Sequence, residues 1–322
     1  MILMIKKILL VAAMAATGVG AAEVTPYIVN GNDINGDKYP SFVSLFYDRI
    51  DYDGIHGTGP YCGGTLLDDQ HVLTAAHCVY GDSEGQLFTS VVPQLDYEYD
   101  FPSTVKQRVM VNAYYYPNDY DNDTLANDIA ILKLSEPITA VFSYADLAQA
   151  SDETNYRVTS PVQVFMAIGH GNTETGIDLS SALQETQLKY VENADCHAYS
   201  NADTSDNLCM TGAAEVVYDN AVCQGDSGGP LFWGNKQVGI TSFGPQVCGD
   251  PNMTPNSVFT EVSHHYDWIQ SVLSGNEAPK VSISDAQRNS FLNPSSGGGG
   301  GSLGWLTLGL MVLFGFRRST NK

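Results

Sequence analysis

The octapeptide Cys223-Gln224-Gly225-Asp226-Ser227-Gly228-Gly229-Pro230 sets one serine among glycines. A serine hydroxyl is a weak nucleophile until a base takes its proton during attack. The oxyanion that then forms needs hydrogen-bond donors aimed at it. Glycines around Ser227 let backbone amides turn toward one point that a Cβ would obstruct. A base stands in Leu73-Thr74-Ala75-Ala76-His77-Cys78, and a carboxylate to orient it in Asn127-Asp128-Ile129-Ala130-Ile131-Leu132. The neighbouring Cys78 can fix the His77 backbone through a disulfide. Asp128 leads into an alternating apolar strand, which places it at a sheet rim pointing inward. The order His, Asp, Ser, with roughly 50 and then roughly 100 residues between them, is one of the orders in which this constellation occurs.

Many short β segments must carry these residues. Ser41 to Phe46, Thr65 to Leu67, Ile129 to Leu134, Val162 to Ile168 and Val238 to Phe243 are rich in Val, Ile, Phe and Leu, and turn residues punctuate the chain between them. The best helical pattern runs from Ser263 to Leu273, with Tyr266, Ile269 and Leu273 on one face. An all-β sandwich or barrel architecture closed by a C-terminal helix follows. No internal sequence repeat is visible.

On these motifs, residues Ile28 to Leu273 resemble a serine protease of the chymotrypsin/trypsin family. The resemblance implies two packed six-stranded antiparallel β-barrels with the site in the cleft between them. It gives His77, Asp128 and Ser227 the catalytic roles and the amides of Gly225 and Ser227 the oxyanion hole. It implies the disulfides Cys62-Cys78, Cys196-Cys209 and Cys223-Cys248, one pairing among the fifteen that six cysteines permit. Tyr27-Ile28-Val29-Asn30-Gly31 resembles the family's activation site, so cleavage before Ile28 would free an amine that pairs with Asp226. Relatives that cut after Arg or Lys keep an aspartate six residues before the nucleophile, where this chain has Ala221 followed by Val222. With Gly244 leaving the pocket entrance open and Ser257 near its base, the expectation is cleavage after uncharged apolar or aromatic residues. Asp219 is the acid that a loop shift could bring to the base. Ser242 to Gly244 is the edge on which extended substrate pairs. A Tyr27-Ile28 bond suits such a pocket, so processing by a second copy of the chain is an open alternative to a separate activator.

The ends of the chain speak to its route. Lys6 and Lys7, the apolar run Ile8 to Ala16 and the small residues through Ala22 read as a signal peptide over residues 1–22, leaving 23–27 as a short propeptide. Export makes the even cysteine count readable as disulfides. Residues 28–274 form the protease domain, and the polar stretch 275–296 reads as a linker. Residues 297–322 hold five glycines, an apolar stretch from Leu303 to Phe316, then Arg317, Arg318 and Lys322. This tail resembles the glycine-glycine C-terminal sorting signal of Gram-negative bacteria. That resemblance implies a rhombosortase, transient membrane attachment, type II secretion and a cell-surface or extracellular destination. A retained membrane anchor is the alternative.

A net charge of −21 with only 15 Lys and Arg disfavours nucleic acid and anionic membranes as partners. Protein or peptide substrates are expected, with no cofactor and no catalytic metal. His56, His71, His170, His197, His264 and His265 read as surface or packing residues, and the acidic stretch Asp96 to Asp100 as a solvated loop rather than a calcium site. Two other readings stay in view: Arg/Lys-specific cleavage, and a non-catalytic binding relative of the fold.

Overall fold

The computed structural model describes residues 28–29, 31–172, 180–196, 206–213, 220–250, 252 and 254–294. The signal peptide, propeptide, Asp219 and the 297–322 tail lie outside the described residues. Six strands, β1 (Phe42–Arg49), β2 (Cys62–Leu66), β3 (His71–Thr74), β4 (Thr89–Pro93), β5 (Val109–Tyr115) and β6 (Ala130–Leu134), form one antiparallel sheet. Following the pairings around gives β1–β2–β3–β6–β5–β4 and back to β1, a closed barrel. Six more, β7 (Phe165–Gly169), β8 (Gln184–Val191), β9 (Asn207–Gly212), β10 (Pro230–Trp233), β11 (Lys236–Phe243) and β12 (Ser257–Glu261), close in the same order, β7–β8–β9–β12–β11–β10. The two halves therefore share a topology although their sequences show no repeat. Closure removes the free edges that an open antiparallel sheet would expose.

Apolar strand residues explain why the barrels hold. Phe165, Leu188, Leu208, Met210, Val238 and Phe259 are buried together inside the second barrel. In the first, Phe46 stacks on Phe101 at 4.0 Å between ring centres. Full burial of a side chain of this size stabilises by about 1.5–3 kcal/mol. Phe42 of the first barrel packs with Ile168, Leu183 and Phe232 of the second, joining the two.

Short helices α1 (Ser83–Phe88) and α2 (Glu153–Tyr156) lie in connections. The predicted C-terminal helix is a 3₁₀ turn, Val262–His265, running into α3 (Tyr266–Leu273). Its buried residues are Ile269 and Val272, while Tyr266 and Leu273 are only half-buried. The face is wider than the expected one, because Val272 joins Ile269 in the core and Leu273 and Trp268 pack against the same cluster from half-buried positions. That core contains Leu73 and Ala75 from the approach to His77, Ile129 and Ile131 beside Asp128, Ile240 of β11, and Val262. One apolar cluster thereby fixes the backbone on which both His77 and Asp128 depend.

Residues 275–294 are more structured than a featureless polar linker. Lys280 N donates to Tyr114 O at 2.8 Å, and Val281–Ser282 pairs antiparallel with Ala113 and Tyr114 on β5. Backbone pairing needs no apolar side chains, which is why composition did not reveal it. Beyond it a separate unit begins at Ile283 and contains α4 (Asp285–Leu292). Ser284 and Gln287 form a capping box at its start.

Candidate active site

Thr74 ends β3, and the chain then tightens into a 3₁₀ turn, Ala76–Cys78, that presents His77. The Cys62–Cys78 disulfide ties this turn to β2. Asp128 is fully buried, two residues before β6. Its Oδ1 accepts from the His77 amide at 2.9 Å, and its Oδ2 lies 2.7 Å from His77 Nδ1. Ser242 Oγ donates to the same Oδ2 at 2.5 Å, and Thr260 Oγ1 donates to the Asp128 carbonyl at 2.8 Å. A carboxylate removed from water is costly unless its lone pairs are used, and here three donors use them. The imidazole is held by one ring nitrogen and one backbone contact, and its Nε2 lies 3.9 Å from the disulfide sulfur of Cys78.

Ser227 reaches the same neighbourhood through its backbone. Gly63 N on β2 donates to Ser227 O at 2.8 Å, and Gly228 N donates to Thr241 O on β11 at 2.8 Å. Gly228 has φ +75°, and a Cβ there would lie 2.1 Å from Thr74 Oγ1 and 2.5 Å from Gly63 O. The serine turn is pressed onto the ends of β2 and β3, three residues in sequence from His77, at a closeness only glycine permits. Gly225 sits at φ +104°, with Gly171 Cα 2.8 Å from where its Cβ would be.

Asp226 is buried. Gly171 N donates to its Oδ1 at 2.8 Å and Cys223 N to its Oδ2 at 2.8 Å. Gly169 and Gly171 make room, since a Cβ on either would collide with the carboxylate. Burial pushes the Asp226 carboxyl up to about 7, against the pull of the two amides. In this intact chain the partners of Asp226 are therefore amides, while Ile28 is buried with φ 28° and Val29 packs on Ala221, Cys223 and Cys248. Between Gly169 and Gly171 the His170 ring is buried and held neutral, its pKa lowered to about 4 by desolvation.

A cavity of about 170 Å³ opens beside Ser227, lined also by Val222, Cys223, Gln224, Ser242, Phe243, Gly244 and Pro245. Ala221, Val222 and Ser257 are all buried, and Val222 N donates to Ser257 Oγ at 3.1 Å. Ser257 thus spends an acceptor site on the pocket wall. Gly244 lies close to that wall, where a Cβ would meet Val222 O at 3.0 Å. In the intact chain Gly244 therefore lets two walls approach, rather than simply framing an open entrance. All three disulfides join the pairs that the resemblance implied, Cys62–Cys78, Cys196–Cys209 and Cys223–Cys248.

The side-chain role of Ser242 was missed by sequence reasoning, which had placed this residue only on the substrate-pairing edge. No local signal could have found it, because its partner is 114 positions away. Thr260 was missed for the same reason.

A two-barrel fold with a histidine–carboxylate pair beside a glycine-braced serine defines the class of the serine hydrolases of chymotrypsin type. The family model for Trypsin matches residues 28–269, so the chain belongs to the trypsin family and is a serine endopeptidase. It is 33% identical over 251 residues to Trypsin-1 of Astacus astacus, covering 76% of this chain and 99% of that protein. It is 28% identical over 245 residues to Brachyurin of Leptuca pugilator, covering 76% and 97%. Among solved structures, human heparin binding protein matches with a TM-score of 0.60 at 21% identity, covering 78% of this chain and 99% of that one. Neuropsin, a serine protease expressed in the limbic system of mouse brain, gives 0.59 at 24% identity, covering 76% and 98%. At these identities the two structures speak to fold alone.

Proposed function

We propose that this chain is an exported, zymogen-type serine endopeptidase in which Ser227 is the nucleophile, His77 the general base and Asp128 the orienting carboxylate. The 2.7 Å contact between His77 Nδ1 and buried Asp128 carries the reading, because it fixes the tautomer that leaves Nε2 basic. As Ser227 Oγ attacks the peptide carbonyl carbon, its proton passes to Nε2. The oxyanion is held by the amides of Gly225 and Ser227. Collapse breaks the C–N bond, Nε2–H protonates the leaving amine, and water repeats the sequence on the acyl-enzyme.

Before cleavage the carboxyl of Asp226 rests on amides of Gly171 and Cys223. Cutting before Ile28 supplies an ammonium group as a better partner for a buried carboxylate, and its insertion would order the oxyanion hole and pocket walls. Val222 lines the cavity beside Ser227, no acidic side chain is among the lining residues, and Ala221 is buried against Val29, Cys223 and Cys248, which supports cleavage after uncharged apolar or aromatic residues. A cation there would lose hydration with no charge in return. Extended substrate would add a strand along Ser242 to Gly244. A signal peptide over 1–22 and a sorting tail over 297–322, cut by a rhombosortase after brief membrane attachment, would deliver the enzyme by type II secretion to a Gram-negative cell surface or beyond. Among the described residues no helix is long and apolar enough to cross a membrane.

A serine-directed phosphonate should label the processed protein at Ser227 and leave the Ser227→Ala protein and the precursor unlabelled. No labelling of correctly processed protein would overturn the triad. A peptide-library profile of the same sample tests the pocket, where preference for Arg or Lys would reverse the specificity reading. An intact C-terminus at Lys322 in the secreted protein would remove the sorting tail.

A further inference from the structure

The last strand of the first barrel ends at Leu134 and the second barrel begins at Phe165, so residues 135–164 carry the chain across. This crossover holds Phe142, at 86% the most exposed large apolar side chain among the described residues. Upstream, Thr139 N and Ala140 N donate to Gln107 Oε1 at 2.8 and 3.2 Å. Downstream, Ala145 N donates to Leu66 O at 3.0 Å, and Asp146–Leu147 pairs in parallel with Lys236–Gln237 of β11. Residues 141–145 belong to no helix, strand or turn. Among the described residues, no hydrogen bond engages the backbone of Phe142, Ser143 or Tyr144.

A peptidase needs a segment that can lie extended in its cleft and offer its own amides to the cleft edge. Helices, turns and paired strands must open first. Tyr99 sits in a 3₁₀ turn, Glu98–Asp100, and stacks on Tyr97, while Ile55 pairs with Arg49 of β1 and Phe291 lies in α4. Tyr80 packs against Tyr116 and Tyr120 at 5.4 and 5.1 Å between ring centres. Tyr144 shares the exposed stretch, yet the amide after it is Ala145 N, which Leu66 O already holds. Among the described residues, Phe142 is thus the exposed aromatic residue that has no ring contact and no hydrogen bond on the amide that follows it.

We infer that Phe142–Ser143 is a self-limiting cleavage site, cut in the cleft of a second copy of this enzyme. The inference rests on the peptidase reading and on its preference for apolar or aromatic residues before the scissile bond. Ser227 Oγ of the attacking copy adds to the Phe142 carbonyl carbon, the C–N bond to Ser143 breaks, and the leaving amine takes its proton from His77 Nε2. Water then releases Phe142 as a carboxylate. Val141 is buried, so the segment opens locally before it binds, and the folded protein is cut more slowly than a free peptide. The position of the bond makes the cut limiting. His77 and Asp128 precede it, and Ser227 follows it. The disulfide Cys62–Cys78 lies before it and the other two after it, so none crosses it. The parts are then held by packing alone, where Phe42 meets Ile168 and Phe232, and where Leu73 and Ile129 meet Ile240. Without a covalent connection that association depends on concentration, and dilution takes the triad apart.

The test adds a trace of processed enzyme to the full-length Ser227→Ala protein, and in parallel to a peptide spanning Thr139 to Asp146. Mass spectrometry should find a new N-terminus at Ser143, and the two parts should separate on a denaturing gel without reductant. Phe142→Gln should slow the cut of the folded protein at least about tenfold, and Tyr144→Gln should leave it in place. Both side chains are exposed, so neither change should alter circular dichroism. In active enzyme, Phe142→Gln should keep kcat/KM for short peptides and lengthen the life of activity in concentrated solution. Cutting of the peptide while the Phe142–Ser143 bond of the folded protein stays whole would overturn the site and leave the peptidase reading standing. A cut enzyme that keeps full activity on dilution would overturn its limiting role. Failure to cut the peptide or any other substrate would overturn both readings.

Discussion

Replacing Asp226 with Asn should make the pH-stability curves of precursor and variant cross. In the intact chain the Asp226 carboxyl is buried and pushed up to about 7 from 3.8, through desolvation that two amide hydrogen bonds only partly offset. A folded-state pKa above the unfolded one means that the native chain holds a proton that the unfolded chain releases between about pH 4 and pH 7. The contribution is therefore fully present below about pH 4 and is lost as pH rises through about 7. At about 1.4 kcal/mol per pH unit, the loss by pH 8 is on the order of 4 kcal/mol. Asn carries no charge, but its amide group leaves either the Gly171 or the Cys223 N–H without an acceptor, a pH-independent cost of about 1–3 kcal/mol. Near pH 4 the variant should be the less stable protein, and near pH 8 the more stable. Both proteins contain neutral, buried His170, so its titration largely cancels in the comparison. The measurement is urea unfolding of both precursors in the Ser227→Ala background, which prevents self-cleavage. Parallel curves from pH 4 to 8 would refute the account of Asp226 as a strained carboxyl. Cutting before Ile28 provides the companion experiment. The freed ammonium should abolish the decline with pH in the parent, and in Ser227-containing protein Asp226→Asn should leave the cut chain nearly inactive.

Asp128→Asn should preserve the fold but lower kcat by about 10³–10⁴, because an amide cannot hold the required His77 tautomer; peptide hydrolysis by the processed protein measures this. Ala221→Asp should shift kcat/KM toward peptides with Arg or Lys before the scissile bond by at least about tenfold, and an unchanged ratio would mean that Ala221 is not at the pocket base. Gly228→Ala should destabilise by at least about 2 kcal/mol, since its Cβ would run into Thr74 and Gly63 at a positive φ. A denaturation midpoint unmoved by that change would contradict the close packing of the serine turn on β2 and β3.

Local sequence was enough to select the chemistry. Glycines around Ser227, a histidine next to Cys78 and an aspartate leading into Ile129-Ala130-Ile131-Leu132 each impose a backbone requirement within a few residues, and such requirements are written contiguously. The period-2 apolar pattern likewise announced β structure. Strand ends were less legible: β1 extends to Arg49 and β11 begins at Lys236 because pairing partners, not side-chain polarity, decide where a ladder stops. The pairing of Val281–Ser282 with β5 was invisible for the same reason.

Residue types, their order along the chain and the apolar periodicity were determined by the sequence itself, since each depends on neighbours a few positions apart. Only the tertiary structure decided that Ser242 donates to Asp128 and that Asp226 rests on two amides in the intact chain. Those are contacts between residues brought together by barrel closure, and a hydrogen bond or desolvation energy exists only once distance and burial are fixed.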